Sequence, residues 1–180
     1  NSPMYYEKER ASKSGYWFRK YVSDADAFKS GGAGTMDFGL LRYAEVLLTY
    51  AEAKIMLNQV DDLAKRCINQ VRSRAGLDMT VADVTLPHFA NYTQQQWIEL
   101  MRNERRIEFA GEGLRYDDLI RWKTAEIELN KPALGYTQKI NGELVSLKIE
   151  DRSFKPYNYL WPFHENSLRV EPGLTQNPGY

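Results

Sequence analysis

The 180-residue sequence predicts a mainly α-helical fold with a small β-hairpin and long irregular segments. Three observations lead to this prediction. Apolar residues recur every three or four positions through several stretches, as they do in amphipathic helices. Two of these stretches form a helix–turn–helix pair of about 34 residues, the length of a tetratricopeptide-type unit. An Asn-Gly dipeptide lies between two short strand-like segments, which is the strongest short-range signal for a β-hairpin.

The first predicted helix, over residues 40–57, carries two apolar stripes. The first stripe comprises Leu40, Leu41, Ala44, Leu47, Leu48, Ala51 and Ile55, and the second comprises Tyr43, Tyr50 and Leu57. A helix that is buried on two sides fits an inner position in a helical stack. After a turn, the partner helix is predicted over residues 63–75 and ends at Gly76. Because only one copy of this pair is evident, we expect it to pack on helices elsewhere.

A third helix is predicted over residues 94–110. Thr93 and Gln96 have the spacing of a capping box, in which each side chain bonds the backbone N–H of the other residue. Gly111 and Gly113 are expected to end this helix, since glycine adopts a left-handed conformation without steric cost.

Charged residues of both signs surround this glycine break and a fourth helix, which is predicted over residues 116–128. Glu104 and Glu108 are one helical turn apart, so their carboxylates repel unless cations lie opposite them. Arg115 or Arg121 could supply these cations, and we interpret the stretch as an ion-pair network that holds a helical hairpin. The alternative is a pair of catalytic carboxylates acting on a glycosidic bond. It is disfavoured because neighbouring arginines tend to keep carboxylates ionised.

Three short strands are predicted, at residues 16–22, 136–140 and 143–149. Aromatic and β-branched residues favour the first strand. Asn141-Gly142 joins the other two as a type I′ turn. Residues 23–37 are predicted to form a loop, and its glycine run at 30–34 lacks the Lys-Ser/Thr ending of a phosphate-binding P-loop.

The composition disfavours several functional classes. The chain carries 24 basic and 24 acidic residues, whereas a nucleic-acid-binding domain normally shows a basic excess. No apolar run reaches the length of about 18 residues that a transmembrane helix needs. Cys67 is the sole cysteine, so we expect no internal disulfide and interpret Cys67 as a small buried side chain. His88 and His164 lack the spacing of metal ligands. We therefore predict no metal site, cofactor or catalytic residue.

Aromatic residues make up 13% of the chain, with twelve tyrosines and four tryptophans. Flat aromatic faces can stack on sugar rings, and nearby polar groups can bond the hydroxyls. The candidate ligand-binding residues are those in or near irregular segments, namely Tyr5, Tyr6, Trp17, Tyr92 and Tyr136. For each of them, ordinary packing is the alternative role. We expect Trp122, Trp161 and Tyr43 in the core, and Trp97 against the first turn of its helix.

Several separated stretches resemble one protein family and occur in that family's order. They are Gly15-Tyr16 with Arg19-Lys20-Tyr21, Leu41-Arg42-Tyr43-Ala44-Glu45-Val46-Leu47-Leu48 with Tyr50-Ala51-Glu52-Ala53, Ile68-Asn69-Gln70-Val71-Arg72 with Arg74-Ala75-Gly76-Leu77, Glu104-Arg105-Arg106-Ile107-Glu108-Phe109 with Glu112-Gly113 and Arg115-Tyr116, Asp118-Leu119 with Arg121-Trp122, Leu160-Trp161-Pro162, and Leu174-Thr175-Gln176-Asn177-Pro178-Gly179-Tyr180. As an ordered set they cover nearly the whole chain. The sequence resembles the C-terminal region of a SusD/RagB-type protein, a surface nutrient-binding lipoprotein of Bacteroidetes.

This resemblance implies a helical fold with tetratricopeptide-like helix pairs and no catalytic activity. It also implies capture of glycans at the outer membrane and a SusC-like TonB-dependent transporter as partner. Family members are considerably longer and carry a lipid-bearing cysteine near the mature N-terminus. We therefore expect residues 1–180 to form the C-terminal domain of such a lipoprotein, with the lipidated N-terminus outside this chain. The matching motifs are mostly scaffold and imply no ligand residue.

Three alternatives to glycan capture stay open at this point. One is a helical protein-interaction module that binds no sugar, and another is a peptide-binding relative of the same family. The third is a glycoside hydrolase, which is the least favoured because no metal motif, nucleophile motif or isolated carboxylate pair is evident.

Overall fold

The computed structural model describes residues 12, 14, 16, 18–23, 37, 39–76 and 92–180. The described residues form six α-helices, one 3₁₀ turn and a two-stranded sheet, so the predicted fold class is confirmed. They belong to two compact units, of which the first spans Arg19–Arg115 and the second is formed mainly by Tyr116–Tyr180. No helix in the described ranges combines the length and the apolar character that crossing a membrane requires.

The first unit is built from three helices. They are α1 at Tyr43–Met56, α2 at Asp62–Arg74 and α3 at Gln94–Glu108. α1 packs against both α2 and α3, and the core between them comprises Leu47, Leu48, Ala51, Ile55, Ala64, Cys67, Ile68, Val71, Trp97, Met101 and Phe109. The predicted helix pair and the burial of Cys67 are therefore confirmed, and Trp97 is buried in the core that the three helices share.

Local capping residues fix where α2 and α3 begin. The carboxylate of Asp61 accepts a hydrogen bond from the backbone N–H of Ala64 at 2.7 Å at the start of α2. Thr93 and Gln96 form the predicted capping box at the start of α3. Gly111 and Gly113 both adopt positive φ angles, of 79° and 85°, as expected for the break that follows α3.

The first helix departs from the prediction in two ways. It begins at Tyr43 rather than at residue 40, and Leu40 and Leu41 are exposed rather than part of the buried stripe. The expected burial of the second stripe is also wrong for two of its members, because Tyr43 is 66% exposed and Leu57 is 64% exposed. α1 therefore presents an apolar face that the described residues leave uncovered.

The predicted strand over residues 16–22 is also wrong where the structure describes it. Residues 18–23 form no strand. Tyr21 adopts a φ of 60°, and the backbone N–H of Val22 donates to the carbonyl of Arg19 at 3.2 Å. Aromatic and β-branched content favours a strand only where a neighbouring strand supplies hydrogen bonds, and here the backbone forms a turn instead.

The second unit begins with two short helices where one was predicted. They are α4 at Leu114–Arg121 and α5 at Ala125–Glu128. Lys123 separates them with a φ of 55°, and the N–H groups of Lys123 and Thr124 donate to the carbonyls of Ile120 and Leu119. This pattern is a Schellman motif, which ends a helix. The sequence prediction missed it because a lysine holds the position that glycine usually takes.

A β-hairpin follows, with β1 at Ala133–Ile140 and β2 at Glu143–Glu150. The strands are antiparallel, and Ile140 pairs with Glu143 across the turn. Asn141 and Gly142 have φ angles of 50° and 91°, as a type I′ turn requires. The predicted hairpin is confirmed, although both strands are longer than expected.

The rest of the second unit is a 3₁₀ turn at Pro156–Tyr159 and the helix α6 at Glu165–Val170. Its small core comprises Leu119, Ala125 and Phe154, with Tyr116, Ile120, Leu129 and Tyr159 partly buried around them. The Phe154 and Tyr159 rings meet edge to face with their centroids 5.0 Å apart, and the Lys123 ammonium lies 4.5 Å from the Tyr159 ring.

Candidate functional site

The extended segment 160–163 is held in place by the side chains of the C-terminal residues. The Gln176 amide accepts a hydrogen bond from the Phe163 N–H at 2.8 Å and donates one to the Phe163 carbonyl at 3.0 Å. The Asn177 amide donates to the Trp161 carbonyl at 2.7 Å. These side-chain amides satisfy backbone groups that a neighbouring strand would otherwise satisfy. The segment is therefore ordered without belonging to a sheet.

Tyr180 fastens the other end of the same segment. Its hydroxyl donates to the Leu160 carbonyl at 2.8 Å and accepts a hydrogen bond from the Asn158 amide at 3.2 Å. Its ring meets the Tyr157 ring edge to face at a centroid distance of 5.0 Å. The last residue of the chain thus fixes the backbone that leads into Trp161.

This backbone displays the indole of Trp161, which is 76% exposed. Its ring centroid lies 6.2 Å from that of Tyr116, with a tilt of 49° between the two planes. The expectation that Trp161 lies in the core is therefore wrong. The segment is held by hydrogen bonds to its backbone rather than by burial of its side chains, so the indole face stays open. An open aromatic face on a fixed backbone can stack on a flat apolar surface of a ligand.

Two other aromatic residues that were expected in the core also differ from the prediction. Tyr43 is exposed, and Trp122 is half-buried with the Arg121 guanidinium 4.8 Å from its ring. An aromatic ring under a guanidinium gains a cation–π contact without full burial.

The structure describes only part of the predicted ligand-binding set. Tyr92 is half-buried, and its ring meets the Trp97 ring edge to face at 5.4 Å. Tyr136 is half-buried on β1, and its hydroxyl donates to the Gln138 amide at 3.1 Å. Tyr92 lies in the first unit and Tyr136 in the second. The remaining candidates, Tyr5, Tyr6 and Trp17, lie outside the described residues.

The ion-pair network lies in the first unit and centres on Glu112. Arg42 donates to the two carboxylate oxygens of Glu112 from Nε at 2.8 Å and from Nη2 at 2.7 Å. Lys20 also donates to Glu112 and to the Glu108 carbonyl. Burial raises the pKa of the Glu112 carboxyl, but the hydrogen bonds from Arg42 and Lys20 outweigh it and leave that pKa below its usual range. Glu112 is therefore held as a carboxylate.

Cations from α2 complete this network. Arg72 donates to Glu104 from Nε at 2.9 Å, and Arg74 pairs with Glu108. Arg42 also reaches Glu108, at 2.9 Å. The predicted role of Glu104 and Glu108 as ion-pair carboxylates is confirmed. The cations that the structure places on them are Arg72 and Arg74 of α2 and Arg42, which precedes α1. Arg121, one of the two expected partners, pairs with Asp118 instead.

This network favours scaffolding over acid–base chemistry. A general acid needs a carboxyl whose pKa is raised, whereas Glu112 is held ionised by two cations. In the described ranges, no group of three or more His, Cys, Asp or Glu side chains is arranged to hold a metal ion. His164 instead caps α6, where its Nδ1 accepts a hydrogen bond from the Asn166 N–H at 3.1 Å.

Comparisons with known proteins all point to one family. The pattern of the SusD family matches residues 2–180. A SusD-like protein of Formosa agariphila is 33% identical over 142 residues, which are 78% of this chain and 24% of that protein. A SusD-like carbohydrate-binding protein of Bacteroides fragilis is 28% identical, with a TM-score of 0.75 over 92% of this chain and 34% of its own.

Another SusD-like protein from Bacteroides fragilis, known from a crystal structure, is 31% identical to this chain. Its TM-score is 0.63, over 78% of this chain and 25% of its own. The chain thus spans from about a quarter to a third of the length of these relatives. The family match extends from the N-terminal residues to the tail that holds Trp161. The chain belongs to the SusD family.

Proposed function

We propose that this chain captures glycans without turning them over, and that the exposed indole of Trp161 provides a stacking surface for a sugar ring. The observation that carries this proposal is an indole that is 76% exposed on a segment held by hydrogen bonds from three C-terminal side chains. A surface that is already ordered loses little conformational freedom when a ligand binds.

The surroundings of Trp161 suit a sugar. Pyranose rings have an apolar C–H face and polar hydroxyl edges, so they pair best with amphipathic aromatic residues. Tyr116 lies beside the indole, and Tyr157 is partly exposed nearby along the chain. Tyrosine combines an aromatic face with a hydroxyl that can donate or accept a hydrogen bond. Membership of the SusD family and the likeness to a carbohydrate-binding relative support the same ligand class.

The wider biological setting is part of the proposal. We infer that residues 1–180 form the C-terminal domain of a longer lipoprotein on the outer-membrane surface, anchored by a lipidated N-terminus outside these residues. Its partner is a SusC-like TonB-dependent transporter, to which the captured glycan is delivered. Tyr5, Tyr6, Trp17, Tyr92 and Tyr136 remain predicted ligand contacts. Among those described, Tyr136 fits this role better than Tyr92, whose ring already packs on Trp97.

A glycan-array screen followed by calorimetric titration tests the proposal. We expect wild type to bind at least one glycan class and to release no shorter sugar. The Trp161→Ala variant should bind it at least about tenfold more weakly, because truncating a hot-spot Trp commonly costs about 2 kcal/mol or more and about 1.4 kcal/mol corresponds to a tenfold loss. Leu144→Ala is the matched control, since Leu144 is equally apolar and 78% exposed in the same unit.

Three outcomes would count against the proposal. Absence of binding to any glycan, together with retention of a SusC-like transporter on the immobilised chain, would favour the protein-interaction module. If Trp161→Ala bound as tightly as wild type, the indole would not be the stacking surface. If that variant lost thermal stability but no affinity, the indole would serve packing instead.

A further inference from the structure

The tip of the β-hairpin carries the only Asn-Gly dipeptide of the chain, Asn141-Gly142. Both residues are exposed, and the turn closes on the pair of Ile140 and Glu143. The positive φ angles of 50° and 91° are those for which this dipeptide is suited. The residues that make the turn thus also place an asparagine amide directly before a glycine N–H in open solvent.

Nothing in the part of the chain that the structure describes holds the Asn141 side chain in place. Its amide has no hydrogen bond there, whereas the amides of Asn130, Asn158 and Asn177 each bond backbone groups. Among the described hydrogen bonds, none engages the Gly142 N–H either. A Cβ added at Gly142 would meet no described heavy atom within 4 Å, its two chain neighbours apart. Both reacting groups of the dipeptide are therefore accessible.

We propose that Asn141 is a site of spontaneous deamidation through a cyclic imide formed with the backbone of Gly142. The Gly142 nitrogen gives up its proton to base and bonds to Cγ of Asn141. The Cγ–Nδ2 bond breaks, and the amide nitrogen takes up a proton and leaves as ammonia. Water then opens the imide at one of its two carbonyls. Opening at Cγ gives aspartate, and opening at the backbone carbonyl gives isoaspartate, in which the main chain runs through the former side chain.

The hairpin slows this reaction without preventing it. Ring closure needs a rotation about the Asn141 Cα–C bond, which the closed type I′ turn resists. The sheet that the described residues form has two strands, and its apolar residues near the tip are open, with Leu144 78% exposed and Ile140 42% exposed. A two-stranded hairpin has little stability of its own, so its tip opens locally at low cost in free energy.

The two products differ in their effect on the hairpin. Aspartate preserves the turn, because Asp-Gly suits the same type I′ geometry. Isoaspartate adds a methylene to the main chain between Ile140 and Gly142, so the pairing of Ile140 with Glu143 loses its register. Tyr136 lies on β1, so this slow chemical change acts on the strand that carries a predicted ligand contact.

Incubation of the folded protein at mildly alkaline pH, followed by trypsin and mass spectrometry, tests the proposal. Trypsin releases residues 140–148 and 55–65, and each peptide holds a single asparagine, Asn141 or Asn58. Asn58 is the matched internal control, because it is exposed and has a φ of 54° but precedes Gln59. Asn141 should deamidate at least about tenfold faster than Asn58, because glycine has no side chain to crowd the attacking nitrogen.

Two variants separate the chemistry from its effect on the hairpin. Asn141→Gly keeps a type I′ turn but has no amide to lose, so its peptide should stay unmodified. Freshly prepared Asn141→Asp should keep the wild-type hydrogen exchange of the β1 and β2 amides, whereas the fraction of aged wild type that isoaspartyl methyltransferase labels should exchange faster. Equal deamidation rates at Asn141 and Asn58, or aspartate formed without isoaspartate, would overturn the proposal.

Discussion

Replacing Glu112 by glutamine should destabilise the first unit more than any exposed charge change. The Glu112 carboxylate is only 6% exposed and contacts both Arg42 and Lys20. Glutamine keeps the length of the side chain but removes its charge and one acceptor oxygen. The bidentate pair with Arg42, at 2.7 and 2.8 Å, cannot then form.

The magnitude follows from the partners that remain. Removing one member of a buried ion pair costs about 3–5 kcal/mol when the other charge is left without a partner. Here Arg42 keeps Glu108, and Lys20 keeps its hydrogen bond to the Glu108 carbonyl. The expected loss is therefore lower, about 2–3 kcal/mol. At about 2–4 °C per kcal/mol for a chain of this size, Tm should fall by about 4–12 °C.

Urea unfolding followed by far-UV circular dichroism measures this loss. Glu99→Gln is the matched control, because Glu99 is exposed on α3 and its carboxylate meets only the exposed Gln95 amide among the hydrogen bonds that the structure gives it. The control should change the free energy of unfolding by less than about 0.5 kcal/mol. If Glu112→Gln changed the free energy of unfolding as little as the control does, the network would fix geometry without adding stability, and the prediction would be refuted.

Three further outcomes follow from the structure. Glu104→Gln should lower Tm by at least as much as Glu112→Gln, because Arg72 loses the carboxylate with which it pairs, while glycan affinity measured by calorimetry stays unchanged. The folded-state pKa of Glu112 is depressed, so the carboxylate stabilises the fold fully above its unfolded pKa of about 4.3, and this contribution is lost as pH falls through the folded-state pKa. Tm should therefore drop on acidification, and Glu112→Gln should reduce this drop. Gly142→Ala forces a side chain onto a φ of 91° and should destabilise the hairpin by about 1 kcal/mol or more, which hydrogen exchange of the β1 and β2 amides would detect.

Features set by neighbours in sequence were predictable. The capping box of Thr93 and Gln96, the glycine stop after α3 and the Asn141-Gly142 turn each depend on a few adjacent residues. The motif at Lys123 was not predictable in the same way. It places a lysine at a positive φ, and the nearby Tyr159 ring that its ammonium contacts comes from far along the chain.

Features set by contacts between distant parts of the chain were only partly predictable from the sequence. The sequence indicated that Glu104 and Glu108 need cations, but Arg72 and Arg42 reach them from 32 and 66 residues away. No periodic pattern encodes such a pairing. The exposure of Trp161 had a weak signal, since Pro162 follows it in a stretch without helical or strand periodicity. The hydrogen bonds from Gln176 and Asn177 that fix this stretch were visible only in the structure.

The measurement that bears most directly on glycan capture is a titration followed through the indole N–H signals of an ¹⁵N-labelled chain. The chain has four tryptophans, so each signal can be assigned by single substitution. With the tightest glycan from the array, we predict a saturable shift of the Trp161 signal, while the buried Trp97 signal stays in place. An unchanged Trp161 signal at saturating glycan, with affinity retained, would contradict the proposal that this indole contacts the sugar.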